Sequence, residues 1–113
     1  MSCLFCNIVD KKIAGDVVYE DEHALAFKDI RPVAPTHVLV IPKKHLPYVH
    51  ELTADDAVTM GHVLVAARKV ADQLGLTAAG YRLVVNDGDA AGQTVHHIHV
   101  HLLGGRNLSW PPG

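Results

Sequence analysis

The stretch His97-Ile98-His99-Val100-His101-Leu102-Leu103 sets three imidazoles two residues apart. Side chains alternate along an extended strand, so His97, His99 and His101 share one face while Ile98, Val100 and Leu102 turn to the other, into a core. One histidine on an apolar strand is ordinarily a satisfied core residue. A row of three at this spacing is poorly explained that way and reads as a site. Two chemistries use such a row. One is a zinc centre of three histidines. The other is attack by a neutral imidazole on phosphorus, with flanking histidines that fix its tautomer and neutralise the phosphate. The preceding loop, Gly92-Gln93-Thr94, offers a glycine for close backbone approach, an amide and a hydroxyl. Those groups suit phosphate oxygens and a bridging atom, and a bare zinc centre does not need them. Cys3 and Cys6 are spaced for a metal or a redox pair rather than for a structural staple.

These residues need a scaffold, and the apolar pattern outlines one. Residues 4–12 suit a short helix with Leu4, Phe5, Ile8 and Val9 on roughly one side. Val17–Glu20 and residues 24–29 read as two strands around an Asp21-Glu22 tip, with Leu25 and Phe27 on one face. Residues 37–41 make a third strand, stopped by Pro42. Thr53 can cap a long helix whose first turn carries Asp55 and Asp56. Met60, Leu64, Ala67, Ala71 and Leu74 then form an apolar stripe, and Gly75 ends it. Residues 81–86 and 95–103 supply the fourth and fifth strands, and the Gly- and Pro-rich tail is irregular. The expectation is an α+β fold in one domain spanning residues 1–113, a five-stranded antiparallel sheet with one long and one short helix.

Composition narrows the function. The 113 residues include nine histidines, 49% hydrophobic and 19% charged side chains, and a formal charge of -2. That excludes a disordered chain and gives no general electrostatic grip on nucleic acid. No apolar run approaches the ~20 residues of a spanning helix, and no basic amphipathic segment suggests membrane attachment. The first seven residues do not read as a secretory signal, and a cytoplasmic location is expected.

The run from Ala91 to Arg106, Ala-Gly-Gln-Thr-Val-His-His-Ile-His-Val-His-Leu-Leu-Gly-Gly-Arg, resembles the signature of the histidine triad family. Asp29-Ile30, Ala34-Pro35-Thr36-His37, Ile41-Pro42-Lys43-Lys44-His45 and the closing Trp110-Pro111-Pro112-Gly113 are similar to its nucleotide-binding branch, which hydrolyses purine nucleoside phosphoramidates. The likeness runs from about Phe5 to the last residue.

The resemblance implies a set of roles. His99 would attack the α-phosphorus and form a nucleotidyl-histidine that water cleaves. His101 would hydrogen-bond a phosphate oxygen, and His97, supported by His37, would orient the nucleophile. Thr94, where the family usually has serine, would donate to the leaving amine or a phosphate oxygen. Gln93, Asn86 and Gly92 would lie along the phosphate and ribose, and Asp29 would accept from the ribose hydroxyls or serve only as a turn residue. Phe5, Ile8, Phe27 and Ile30 would line a purine slot, with ordinary core packing the alternative for Ile8 and Phe27. No cofactor is required for that chemistry. Some bacterial members bind zinc through residues matching Cys3, Cys6, His45 and His97; free buried cysteines are the alternative here. A homodimer is implied, with the long helix and a strand at its interface and Trp110 reaching the partner's site. Other activities stay open: dinucleoside polyphosphate hydrolysis, nucleotidyl transfer, a nucleotide-binding regulatory module, and a three-histidine zinc hydrolase. His96 falls on the face opposite the triad and receives no catalytic role.

Overall fold

The computed structural model describes residues 3–113. Helix α1 (Leu4–Val9) is capped by Cys3, whose sulfur accepts the Cys6 amide at 3.3 Å, and it buries Phe5 and Ile8 while Leu4 stays exposed. Strands β1 (Val17–Glu20), β2 (Ala24–Lys28) and β3 (Thr36–Pro42) follow, then helix α2 (Ala57–Gln73), β4 (Arg82–Val85) and β5 (Val100–Gly104). The five strands form one antiparallel sheet in the order β1-β2-β3-β5-β4.

The sheet separates two apolar clusters, as the period-two alternation requires. One face carries Ala24, Ala26, Val38, Val40, Val100 and Leu102 against α2. The other carries Leu25, Phe27, Leu39 and Ile41 against Phe5 and Ile8 of α1. Leu25 and Phe27 do share a face. Thr53 caps not α2 itself but a 3₁₀ turn, Ala54–Asp56, that leads into it: in a capping box its side chain takes the Asp56 amide while the Asp56 carboxylate takes the Thr53 amide at 3.0 Å. Gly75, at φ +72°, ends the helix in a conformation that costs glycine little.

Three expectations shift. The buried stripe of α2 is Val63, Ala66, Ala67, Val70 and Ala71, whereas Leu64 and Leu74 are exposed. Small side chains let the helix approach the sheet closely, and the larger leucines stand to the side. The fifth strand begins at Val100 rather than residue 95, because the residues before it turn their polar groups to other partners. Short 3₁₀ turns at Val49–Glu51 and Asp89–Ala91 occupy stretches read as loop.

Candidate active site

His37 and His101 come from adjacent strands. Leu39 pairs directly with His101, so His37, two residues earlier on β3, is its diagonal neighbour on the same face. Their rings meet with His37 Nε2 2.9 Å from His101 Nδ1. The Val33 amide donates to His37 Nδ1 at 3.1 Å. An amide cannot accept, so Nδ1 carries the lone pair and the neutral ring has its proton on Nε2. That proton points at His101 Nδ1, with Asp29 Oδ2 also near, at 3.3 Å. His101 Nδ1 therefore accepts, and its own proton sits on Nε2. That atom is buried and has no hydrogen-bond partner among the described residues. A sealed, unpaired donor costs about 1–3 kcal/mol, which is recovered when an acceptor arrives.

The same logic fixes His99. Its Nδ1 lies 2.8 Å from the His97 carbonyl oxygen, which can only accept. Nδ1 thus holds the proton and Nε2 keeps its lone pair. The ring lies edge-on to Phe5, with centroids 5.1 Å apart, and 5.0 Å from the His101 ring. Burial pulls the His99 pKa down, and burial with the neighbouring His99 and His37 rings takes His101 to about 4. Both rings are neutral at pH 7, the state in which an imidazole is a nucleophile.

His97 faces elsewhere. Its Nε2 donates to the Pro42 carbonyl oxygen at 2.8 Å, leaving the Nδ1 lone pair among Cys3 Sγ at 3.4 Å, Cys6 Sγ at 3.6 Å and His45 Nδ1 at 3.1 Å. Cys6 Sγ is 3.2 Å from His45 Nδ1, and the four ligand atoms all lie within 4.8 Å of one another. Burial, with Cys3 alongside, pushes the Cys6 thiol up to about 11, and burial takes His97 down to about 4. Tetrahedral zinc, with bonds of about 2.3 Å to sulfur and about 2.0 Å to nitrogen, would space its ligands roughly 3.3–3.8 Å apart. The donor set and its spacing fit such an ion.

Several expected roles change accordingly. His37 supports His101, not His97. His97 meets the His99 ring through its backbone oxygen and not through its own ring. Gln93 is buried with its amide committed to the loop: Oε1 accepts from Gly88, and Nε2 donates to the Pro47 and Val95 carbonyls. It therefore shapes the Gly92-to-Thr94 turn instead of presenting donors to a phosphate. Thr94 and Gly92 are exposed on that turn, and Asn86 Nδ2 lies where a Cβ on Gly92 would touch it, at 4.0 Å. Asp29 is half-buried and tied by the Arg31 amide and His37. Phe5 is buried against the His97 and His99 rings, and Ile8 and Phe27 are buried in the same apolar cluster as Phe5, whereas Ile30 is 91% exposed and Trp110 is 81% exposed. His96 is exposed against the Tyr48 hydroxyl. The three triad rings do not converge on one point, which opposes the three-histidine zinc reading. The Val33 amide, the Pro42 carbonyl and the His97 carbonyl are backbone partners that side-chain motifs could not reveal.

Residues 10–108 match the model of the HIT domain, and the chain belongs to the HIT, or histidine triad, family. It is 51% identical over 110 residues to an uncharacterized HIT-like protein of Synechococcus elongatus, covering 97% of this chain and 96% of that one. The structure of a HIT family hydrolase from Legionella pneumophila superposes with a TM-score of 0.97 at 51% identity, covering 99% of this chain and all of the other. A histidine triad nucleotide-binding protein from Candida albicans superposes at 0.83 with 32% identity, over 97% of this chain and 83% of that one. No helix among the described residues is long and apolar enough to cross a membrane.

Proposed function

We propose that this protein hydrolyses the P–N bond of purine nucleoside 5′-phosphoramidates. The carrying observation is the pairing of a free His99 Nε2 lone pair with the unpartnered, buried Nε2–H of His101. His99 Nε2 attacks the α-phosphorus as the P–N bond breaks, and the amine leaves with a proton drawn from solvent through the Thr94 hydroxyl, a proton that the attacking water later returns to solvent. Water then cleaves the nucleotidyl-histidine, releasing nucleoside monophosphate and restoring the imidazole. His101 Nε2–H donates to a non-bridging oxygen as charge builds on it, and the exposed Thr94 hydroxyl serves the leaving side. Phe5, Ile8 and Phe27 form the base slot with Ile30 at its mouth, and the remaining lone pairs of Asp29 accept from ribose hydroxyls. Asn86 and Gly92 border the phosphate. The hydrolase and nucleotide-binding descriptions of the related structures support this reading.

In this proposal Cys3, Cys6, His45 and His97 hold zinc, which supplies a rigid tetrahedral cross-link. The chain acts as a homodimer, its partner supplying Trp110 to the rim of the site. Incubation with a fluorogenic adenosine 5′-phosphoramidate tests the reaction. Turnover, with adenylate trapped on the His99 peptide by mass spectrometry, is expected. His99→Ala should abolish turnover by at least about a thousandfold while AMP still binds. Faster cleavage of a diadenosine polyphosphate, or adenylation elsewhere, would redirect the assignment.

A further inference from the structure

The cysteine–histidine cluster and the nucleophile are joined by two short mechanical links. The first runs through the backbone. The His97 ring is gripped on both nitrogens, by Pro42 on Nε2 and by the cluster on Nδ1, and the carbonyl of the same residue holds the His99 Nδ1 proton. The second runs through α1. Cys3 and Cys6 bracket its first turn, and Phe5 between them packs its ring edge-on to both His97, at 5.9 Å, and His99, at 5.1 Å. The Ile98 amide, between the two histidines, donates to the Leu46 carbonyl at 2.7 Å, one residue beyond His45. The carbonyl that fixes the tautomer of the His99 ring and the phenyl ring packed edge-on to it thus belong to a cluster residue and to the immediate neighbour of one.

We propose that Cys3, Cys6 and His45 are positioning residues for catalysis. With a thiophilic divalent cation bound, they hold the His97 backbone so that His99 keeps a single Nδ1–H tautomer with Nε2 facing the substrate. Emptying the cluster frees α1 and His97, and the nucleophile loses its register. The inference rests on the reading of His99 as nucleophile and of the cluster as a metal centre. It goes beyond an ion that merely stabilises the fold, because a stabilising ion would leave the His99 ring unchanged in any protein still folded.

The test compares zinc-loaded and chelator-stripped full-length protein. Long-range 1H–15N correlation spectra of the histidine rings should give one Nδ1–H pattern for His99 in the loaded form and an averaged pattern in the stripped form. This readout needs no turnover, so it stands even if the phosphoramidate is not a substrate. With a cleavable substrate, stripping should lower kcat at least about tenfold while KM and AMP affinity stay within about twofold, and cobalt should restore kcat with a thiolate charge-transfer band. Should stripping unfold the chain, His45→Gln, which removes one neutral ligand, should lower kcat in the same selective way. An unchanged His99 pattern in folded, stripped protein overturns the inference. So does unchanged kcat in His45→Gln, or failure of the purified protein to bind zinc or cobalt.

Discussion

At the scale of single residues, the site works by proton placement. Four histidines that look alike in sequence are given different tasks by one partner each: a backbone amide for His37, the His37 ring for His101, and backbone carbonyls for His97 and His99. His101 illustrates the consequence. Its ring must accept on Nδ1, so a second proton would face the His37 Nε2–H. Burial first, then the neighbouring His99 and His37 rings, lower its pKa from the ordinary 6.5 to about 4. The unfolded chain takes up this proton below about 6.5, and the folded chain only near 4. Between those values the unfolded state holds more protons, so stability falls as pH falls through that window and is unaffected by this group above it. Thermal melts from pH 7.5 to 4.5 should show Tm dropping on the acid side. His101→Gln, which cannot take the proton, should show a shallower drop; an identical slope would remove His101 from the account.

At the scale of elements, the sequence disclosed the sheet and the faces of its strands. Ala24–Phe27 and Val38–Ile41 are continuous apolar runs because each face of these strands meets its own apolar layer, and the two-residue period of side-chain direction then sorts Leu25 and Phe27 from Val38. The helix stripe was less legible because Val63, Leu64 and Val65 are consecutive and any of them could have faced inward. Close approach to the sheet decided for Val63 and against the bulkier Leu64. The start of β5 was hidden because Cys3, Cys6, Pro42 and Leu46, distant in sequence, compete for the polar groups of residues 97 and 98. The site residues were named from their types and from resemblance. Which nitrogen does what depends on backbone groups that no motif encodes. Strand ends also carry fixed demands. Gly105 follows β5 at φ +90°, and a Cβ there would stand 2.8 Å from the Pro35 side chain. Gly105→Ala combines a left-handed penalty with that clash and should destabilise by about 2 kcal/mol or more, lowering Tm by roughly 8 °C. A Tm within about 2 °C of the parent would mean that the loop through Pro35 yields freely.

At the scale of the whole molecule, two features point outward together. Strand β4 is an edge strand, and its Leu83 and Val85 pair with Leu102 and Val100, placing them on the sheet face that α2 covers further in, yet both are exposed. Leu64 and Val65 of α2 are exposed as well. The tail is tied down at its root, where Arg82 Nη2 donates to the Leu108 and Ser109 carbonyls at 3.0 and 2.9 Å. Beyond that root Trp110 buries little on its own chain. A homodimer formed through α2 and β4 would cover the leucines and free the indole to act on the partner. On this proposal, sedimentation should give twice the 12.2 kDa chain mass. Leu83→Glu, which sets a charge at the seam, should shift it toward monomer. Deleting residues 108–113 removes little buried surface, so Tm should move by no more than about 3 °C. Preference between an adenosine phosphoramidate with a bulky aromatic amine and one with ammonia should change severalfold. Because the tail acts across the seam, Leu83→Glu should change that preference in the same direction. A truncated protein with unchanged preference, or a monomer that keeps the parent's, would confine the site to a single chain.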